Sequence, residues 1–219
     1  MSLTKSIKLL LLIIVAIMIL GSCLGASADI SIRADGSGKI ALEYRVSQML
    51  ESMGRLDGNE RWPAIPVGKA DFERSLARIP GLRLLSFSAK NARNARGGTD
   101  LVTRAAVEFK NTGALTAFLD SAGNNASLIQ RDGKNILRLV LLEPSTGVID
   151  GDLLSLLKEI SAGYEICFRF TLPKNAALSL LPASVPAASI TSEGKQVSFA
   201  IGLGDIAALE DGLAIEVVW

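Results

Sequence analysis

The chain contains no histidine. That excludes Ser-His-Asp and Cys-His nucleophilic catalysis, imidazole acid–base chemistry and every metal site drawing on a His ligand. Cysteine is almost as scarce, with Cys23 and Cys167 alone. Phe, Trp and Tyr together make up 5% of the residues, which weighs against the stacking platforms of a sugar cleft. Neither sign of charge dominates: 23 Lys and Arg stand against 22 Asp and Glu, so no basic excess recommends nucleic acid as a partner. A long apolar run occurs only at the N-terminus, and nothing after it is long enough to span a bilayer.

That N-terminal run has the form of a secretory signal. Lys5 and Lys8 supply positive charge, and no acidic residue precedes Asp29. Leu9 to Leu20 is continuously apolar, about 18 Å as a helix and well short of the ~30 Å hydrocarbon core. Leu20-Gly21-Ser22-Cys23 then places small residues before a cysteine. This resembles the lipobox of bacterial lipoproteins, in which the thiol takes a diacylglyceryl group before cleavage and the new N-terminus is usually acylated too. The resemblance implies a cleaved signal peptide over 1–22 and a lipid anchor on Cys23. Two or three acyl chains hold a membrane strongly where one holds only marginally. The remainder divides into a short lipidated tether, 23–28, and a single domain, 29–219. Losing Lys5 and Lys8 takes the formal charge from +1 to −1. With Cys23 committed to lipid, Cys167 is left without a disulfide partner.

Strand signals follow. Ile30, Ile32 and Ala34 alternate with polar residues, Asp35-Gly36-Ser37-Gly38 turns the chain, and Ile40, Leu42, Tyr44 and Val46 resume the alternation. Ser47 to Met53 suits a short helix, and 54–67 a loop holding Trp62, Pro63 and Pro66. A helix is predicted from Lys69 to Ile79, with Phe72, Leu76 and Ile79 on one face. A second hairpin pairs 82–90 with 101–110. Thr112 caps a short helix carrying Leu115, Phe118 and Leu119, and a third hairpin pairs 127–130 with 135–142. Asp150 or Asp152 caps a helix with Leu153, Leu156, Leu157 and Ile160 inward. Strands are predicted over 164–172, 188–191, 196–201 and 213–219, with a helical turn after Asp205. The stretch 173–186 is apolar and broken by prolines. The class is therefore α+β: eight to ten strands in antiparallel hairpins with three or four short helices.

The Leu20–Cys23 box, the run Ala28-Asp29-Ile30-Ser31-Ile32-Arg33-Ala34-Asp35-Gly36-Ser37-Gly38, and a hydrophobic C-terminal strand ending at Trp219 resemble the LppM-like family of small bacterial envelope lipoproteins. The resemblance implies an α+β lipoprotein domain at the cell envelope, a lipid-like ligand, and no catalytic motif to carry over.

Other motifs yield to plainer readings. Gly36-Ser37-Gly38-Lys39-Ile40-Ala41 matches the letters of a dinucleotide fingerprint, but a strand follows where the pyrophosphate needs a helix N-terminus. Asp150-Gly151-Asp152 reads as helix capping, since no further acidic residue follows at calcium-loop spacing. Cys167 reads as a small buried hydrophobe, with a reactive thiol as the alternative. Lys90, Arg93, Arg96 and Arg104 gather around the tip of the second hairpin. They form either a solvated tip or a contact for anionic headgroups. Trp62-Pro63-Ala64-Ile65-Pro66 and the segment 176–186 are apolar and proline-interrupted. Each is a core cover or the rim of a ligand or membrane contact, through Trp62, Ile65, Leu178, Leu181 and Val185.

Three function classes follow. The leading one is a non-enzymatic, membrane-anchored envelope lipoprotein binding an apolar or amphiphilic ligand, or a protein partner. The others are a structural subunit of an envelope assembly and a carboxylate-only glycan hydrolase. No cofactor, metal or nucleic acid is expected. The location is the extracytoplasmic side of a bacterial membrane. Leu24 in place of Asp after the cysteine points to the outer membrane if the cell has two. Cys23→Ala is expected to abolish lipid labelling and leave the precursor unprocessed; a variant that still incorporated labelled palmitate would refute the anchor.

Overall fold

The computed structural model describes residues 24–47, 68–94, 97–120, 125–144, 150–209 and 211–219. Signal residues 1–22, Cys23, the expected helix at 47–53 beyond Ser47, the loop 54–67 and Arg96 lie outside them. Local turn chemistry builds the first elements. β1 (Leu24–Ile32) and β2 (Gly38–Ser47) pair antiparallel around a turn where the Asp35 carboxylate accepts hydrogen bonds from the Ser37 backbone N–H and hydroxyl, at 2.9 and 2.7 Å. Helix α1 (Lys69–Ala77) buries Phe72 and Leu76. It leads into the long hairpin β3 (Leu82–Arg93) and β4 (Thr99–Phe109). Helix α2 (Thr112–Leu119) is capped by Asn111, not by Thr112: the extended Asn111 backbone carries its side-chain oxygen to the Ala114 N–H at 2.8 Å. The hairpin of β5 (Ala126–Arg131) and β6 (Lys134–Leu142) closes on Asp132-Gly133, both at positive φ, as a tight two-residue turn of this hand requires.

Helix α3 (Gly151–Ser161) is capped by Asp150, whose carboxylate accepts from the Asp152 N–H at 3.0 Å. Leu156, expected inward, is 45% exposed. The helix packs against the four-residue helix α4 (Leu203–Ile206), so its covered arc is narrow. The side chains of Leu153, Leu157 and Ile160 are outside the description. The remaining strands are β7 (Glu165–Thr171), β8 (Ala177–Leu181), β9 (Ser189–Glu193), β10 (Gln196–Gly202) and β11 (Leu213–Val218).

Two sheets result, one of seven strands in the order β3-β4-β2-β1-β7-β10-β9 and one of four in the order β5-β6-β11-β8. Their facing sides form one core. Ile30, Ile40, Phe109, Phe170 and Phe199 from the large sheet join Leu137, Leu139, Leu178, Leu180, Ile215 and Val217 from the small one, each less than a tenth exposed. A second cluster sets Phe72 and Leu76 of α1 over Ala105 and Val107 of β4.

The α+β class stands, with four short helices and eleven strands among the described residues. Three expectations change. The extra strand is β8, inside the stretch read as proline-broken loop. Pro173 and Pro182 lie outside its ends, so β8 loses no ladder hydrogen bond to them. Pairing is not antiparallel throughout, because β1 runs parallel to β7. Residues 24–28, assigned to a tether, already belong to β1, paired with β2 from Leu24 and with β7 from Ala26.

Gly38 opens β2 where a Cβ would land on the Ser31 carbonyl oxygen and the Phe109 ring, both fixed by the core. Gly38→Ala is expected to cost about 2–3 kcal/mol in urea unfolding. Gly151→Ala, where a Cβ meets nothing within 4 Å, should change stability by no more than about 0.5 kcal/mol. Equal effects would show that the Gly38 contact is not tight.

Candidate functional site

Alternation along each strand gives the large sheet a second face, turned away from the core. Register aligns its residues in rows across all seven strands. One row runs Ser88, Arg104, Glu43, Ser27, Cys167, Ala200, Ser189; the next runs Ser86, Ala106, Ala41, Asp29, Arg169, Ser198, Thr191. The side chains are small hydroxyls, alanines and charges. Small residues leave the backbone near solvent, and the charges are matched between strands. Arg169 donates to Asp29 across the parallel β7–β1 seam. The Glu43 carboxylate accepts from Arg104 at 2.7 Å and from Arg45 at 2.9 Å, and Glu108 accepts from Arg83 at 2.6 Å.

The Asp29–Arg169 pair stands as a ridge between two grooves. One of about 460 Å³ is lined by Ser31, Thr171, Thr191, Glu193, Gln196 and Ser198. The other, about 430 Å³, is lined by Ser27, Ala41, Glu43, Ser86, Ser88, Arg104 and Ala106. A smaller hollow of about 190 Å³ lies beside Gly25, Arg45, Tyr164, Glu165 and Cys167. At this end the Asp100 carboxylate, 1% exposed, accepts from the Tyr164 hydroxyl at 2.9 Å and from the Asn94 amide at 2.8 Å. Those bonds tie the tip of the β3–β4 hairpin to the start of β7.

Electrostatics fix the protonation of the face. Partial burial pushes the Glu43 carboxyl up, but hydrogen bonds from Arg104 and Arg45, with their charges, outweigh it and hold Glu43 below the usual carboxylate range. The Arg83 hydrogen bond and charge do the same for Glu108. Burial pushes the Cys167 thiol up, and Asp29 and Glu165 add to the rise against the lowering by Arg169. Cys167 therefore stays a thiol at neutral pH. It is half-buried on the polar face, not a core hydrophobe as the sequence suggested.

The residues singled out in the sequence are scattered. Leu178 and Val185 are 9% and 6% exposed and belong to the core; of the three residues singled out there Leu181 alone is open, at 39%. Residues 177–181 are the strand β8, so their apolar alternation reflects packing. Trp62 and Ile65 lie outside the described residues. Lys90 and Arg93 are exposed near the hairpin tip. Arg104 is not at the tip: it sits mid-strand opposite Ser88, ion-paired with Glu43. Asp29, Glu43 and Arg169 escaped notice because each reads alone as one polar position of an alternating strand. Among the described residues no cluster of three or more metal-ligating side chains stands, and no helix is long and apolar enough to cross a membrane.

The chain matches no protein-family model and no curated protein sequence. Among solved structures it is similar to the folded domain of LppM from Mycobacterium tuberculosis, determined by NMR. The TM-score is 0.43 and the identity 14%, over 90% of this chain and 88% of that one.

Because Glu43 is held below the ordinary value of 4.5 for a glutamate, its bridges stabilise the fold above that pH and are lost as pH falls through the lower, folded value. Glu43→Gln should therefore cost about 0.5–1 kcal/mol at pH 7, and the gap to the wild type should close below pH 4.5. A gap independent of pH would show that the carboxylate charge is not what the arginines hold.

Proposed function

We propose that this chain is a lipid-anchored protein of the bacterial envelope whose domain works by binding a protein partner through the polar face of the seven-stranded sheet. The observation that carries this reading is the continuity of that face. Six interstrand spacings give a width of about 29 Å, and seven residues of strand a height of about 23 Å, hence roughly 670 Å² in projection. That approaches the ~800 Å² that one side of a standard protein interface buries. Small side chains allow close approach, and the Asp29–Arg169 and Glu43–Arg104 pairs supply matched charges that give register to a partner.

A protein partner suits the face better than glycan hydrolysis or an apolar ligand. A carboxylate-only hydrolase needs one acid with its pKa raised, and Glu43 and Glu108 are pushed the other way. An apolar or amphiphilic ligand needs an enclosed apolar pocket, and the two larger grooves are open ones in which Ser, Thr, Asp, Glu and Arg stand beside Ile30, Phe170 and Val197 in one and Leu42, Phe87 and alanines in the other.

A photoreactive residue at Ala106 or Ser198, in the cells that make the protein, should yield a discrete crosslinked product, and one at Ser127 on the small sheet should not. Ala41→Arg, which fills the groove, should reduce that product several-fold while leaving the protein level unchanged. Products insensitive to Ala41→Arg, or absent from both positions, would return the face to solvent.

A further inference from the structure

The geometry points to a fixed attitude on the membrane: the anchor at Cys23 holds the large sheet end-on to the bilayer, with the β3–β4 hairpin tip touching anionic headgroups through Lys90 and Arg93. The inference rests on the lipid-anchor reading and goes beyond it.

Length comes first. Leu24 is already paired with Val46 in β1, and Ala26 with Ile166 on the other side. Gly25 is buried against the Tyr164 ring, where a Cβ would stand 3.3 Å away. Adjacent Cα atoms are 3.8 Å apart, so a lipid on Cys23 leaves only that residue's backbone and its short glyceryl thioether between the bilayer and the sheet. β1 occupies the middle of that sheet, with three strands on each side. A strand gripped on both sides at its first residues cannot swing as a free tether does.

Register then identifies what lies at that end. Leu24, Val46, Leu101 and Asn91 share one row across β1, β2, β4 and β3. β3 and β4 continue past the row to the Arg93–Thr99 pair, about 7 Å nearer the membrane. The base of the turn is closed by two bonds: the Asn94 N–H donates to the Gly98 carbonyl at 2.9 Å and its side-chain oxygen accepts from the Gly98 N–H at 2.8 Å. Lys90 and Arg93 are exposed on it, and the nearby carboxylate of Asp100 is buried and turned to Tyr164 and Asn94. The exposed Glu165 starts β7, four strands from β3 and about 19 Å away. Among the described residues of the hairpin end, where the sheet itself reaches furthest toward the bilayer, the exposed charges are the cations Lys90 and Arg93, and headgroup phosphates complement them.

The test uses the full lipidated protein in a Cys167→Ser background, reconstituted into vesicles of equimolar phosphatidylglycerol and phosphatidylcholine. Nitroxides at Ala92→Cys, beside Arg93, and at Ala34→Cys, at the far end of β1 about 30 Å away, report depth by oxygen and nickel-chelate accessibility. The Ala92 label should read as headgroup-immersed and the Ala34 label as fully aqueous. Lys90→Glu with Arg93→Glu should move the Ala92 label into water without loss of flotation, as should vesicles of phosphatidylcholine alone. Flotation with equal accessibility at the two sites would overturn the attitude and leave the anchor standing. An Ala92 label indifferent to charge reversal would overturn the headgroup contact. Protein that does not float with the vesicles would overturn the anchor and the proposal with it.

Discussion

β1 is held by β2 on one side and by β7 on the other, and the β7 pairing joins segments about 140 residues apart in the chain. On the first side pairing is local and closes through a four-residue turn. On the other it is parallel and needs a crossover, which everything between Ile32 and Glu165 supplies. Without that seam β1, β2, β3 and β4 would form one sheet and β7, β10 and β9 another, each with an unpaired inner edge. The seam also assembles the core. Ile30 and Phe170 are register partners, each 1% exposed, and Val197 and Ile40 flank them at 2% and 0%. Each such apolar side chain contributes on the order of 1.5–3 kcal/mol by leaving water. The small sheet covers this strip with Leu137, Leu178, Ile215 and Val217.

Strand geometry makes the polar face the necessary reverse of this core, because residues 29 and 169 point away wherever 30 and 170 point in. Necessity explains that the face is polar. It does not explain why the charges are matched in register, Asp29 with Arg169 and Glu43 with Arg104, or why alanine and serine stand between them. A merely solvated face is served as well by long unpaired lysines. Short side chains beside ordered ion pairs produce a surface with fixed relief, which is what recognition requires.

Legibility in the sequence followed the range of the interaction. The Asp35–Gly38 turn, the Asp132-Gly133 turn and the Phe72–Leu76 stripe are written within a few residues, and their elements fall within a few positions of where the pattern put them. β8 was hidden because five residues between prolines carry too short a period to separate strand from loop. Only the neighbouring β11 gives Leu178 and Leu180 a core to face. The β1–β7 pairing has no local signature at all, so neither the strand order nor the face built from it was readable. Arg104 shows the limit well: adjacent in sequence space to the hairpin cations, it belongs by register to Glu43 on another strand.

Attitude and binding face constrain one another. In the proposed attitude the strands stand along the membrane normal and the polar face looks sideways. Lipid headgroups would then lie at the end of the sheet, where Lys90 and Arg93 are, away from Asp29, Arg169 and the two grooves beside them. A partner for that face would therefore stand beside the domain on the same membrane or project from it to a similar height. The strand length of about 23 Å sets that height. Confinement to one layer would raise such a partner's effective concentration, so a polar interface of modest area would suffice there where it would be weak in free solution.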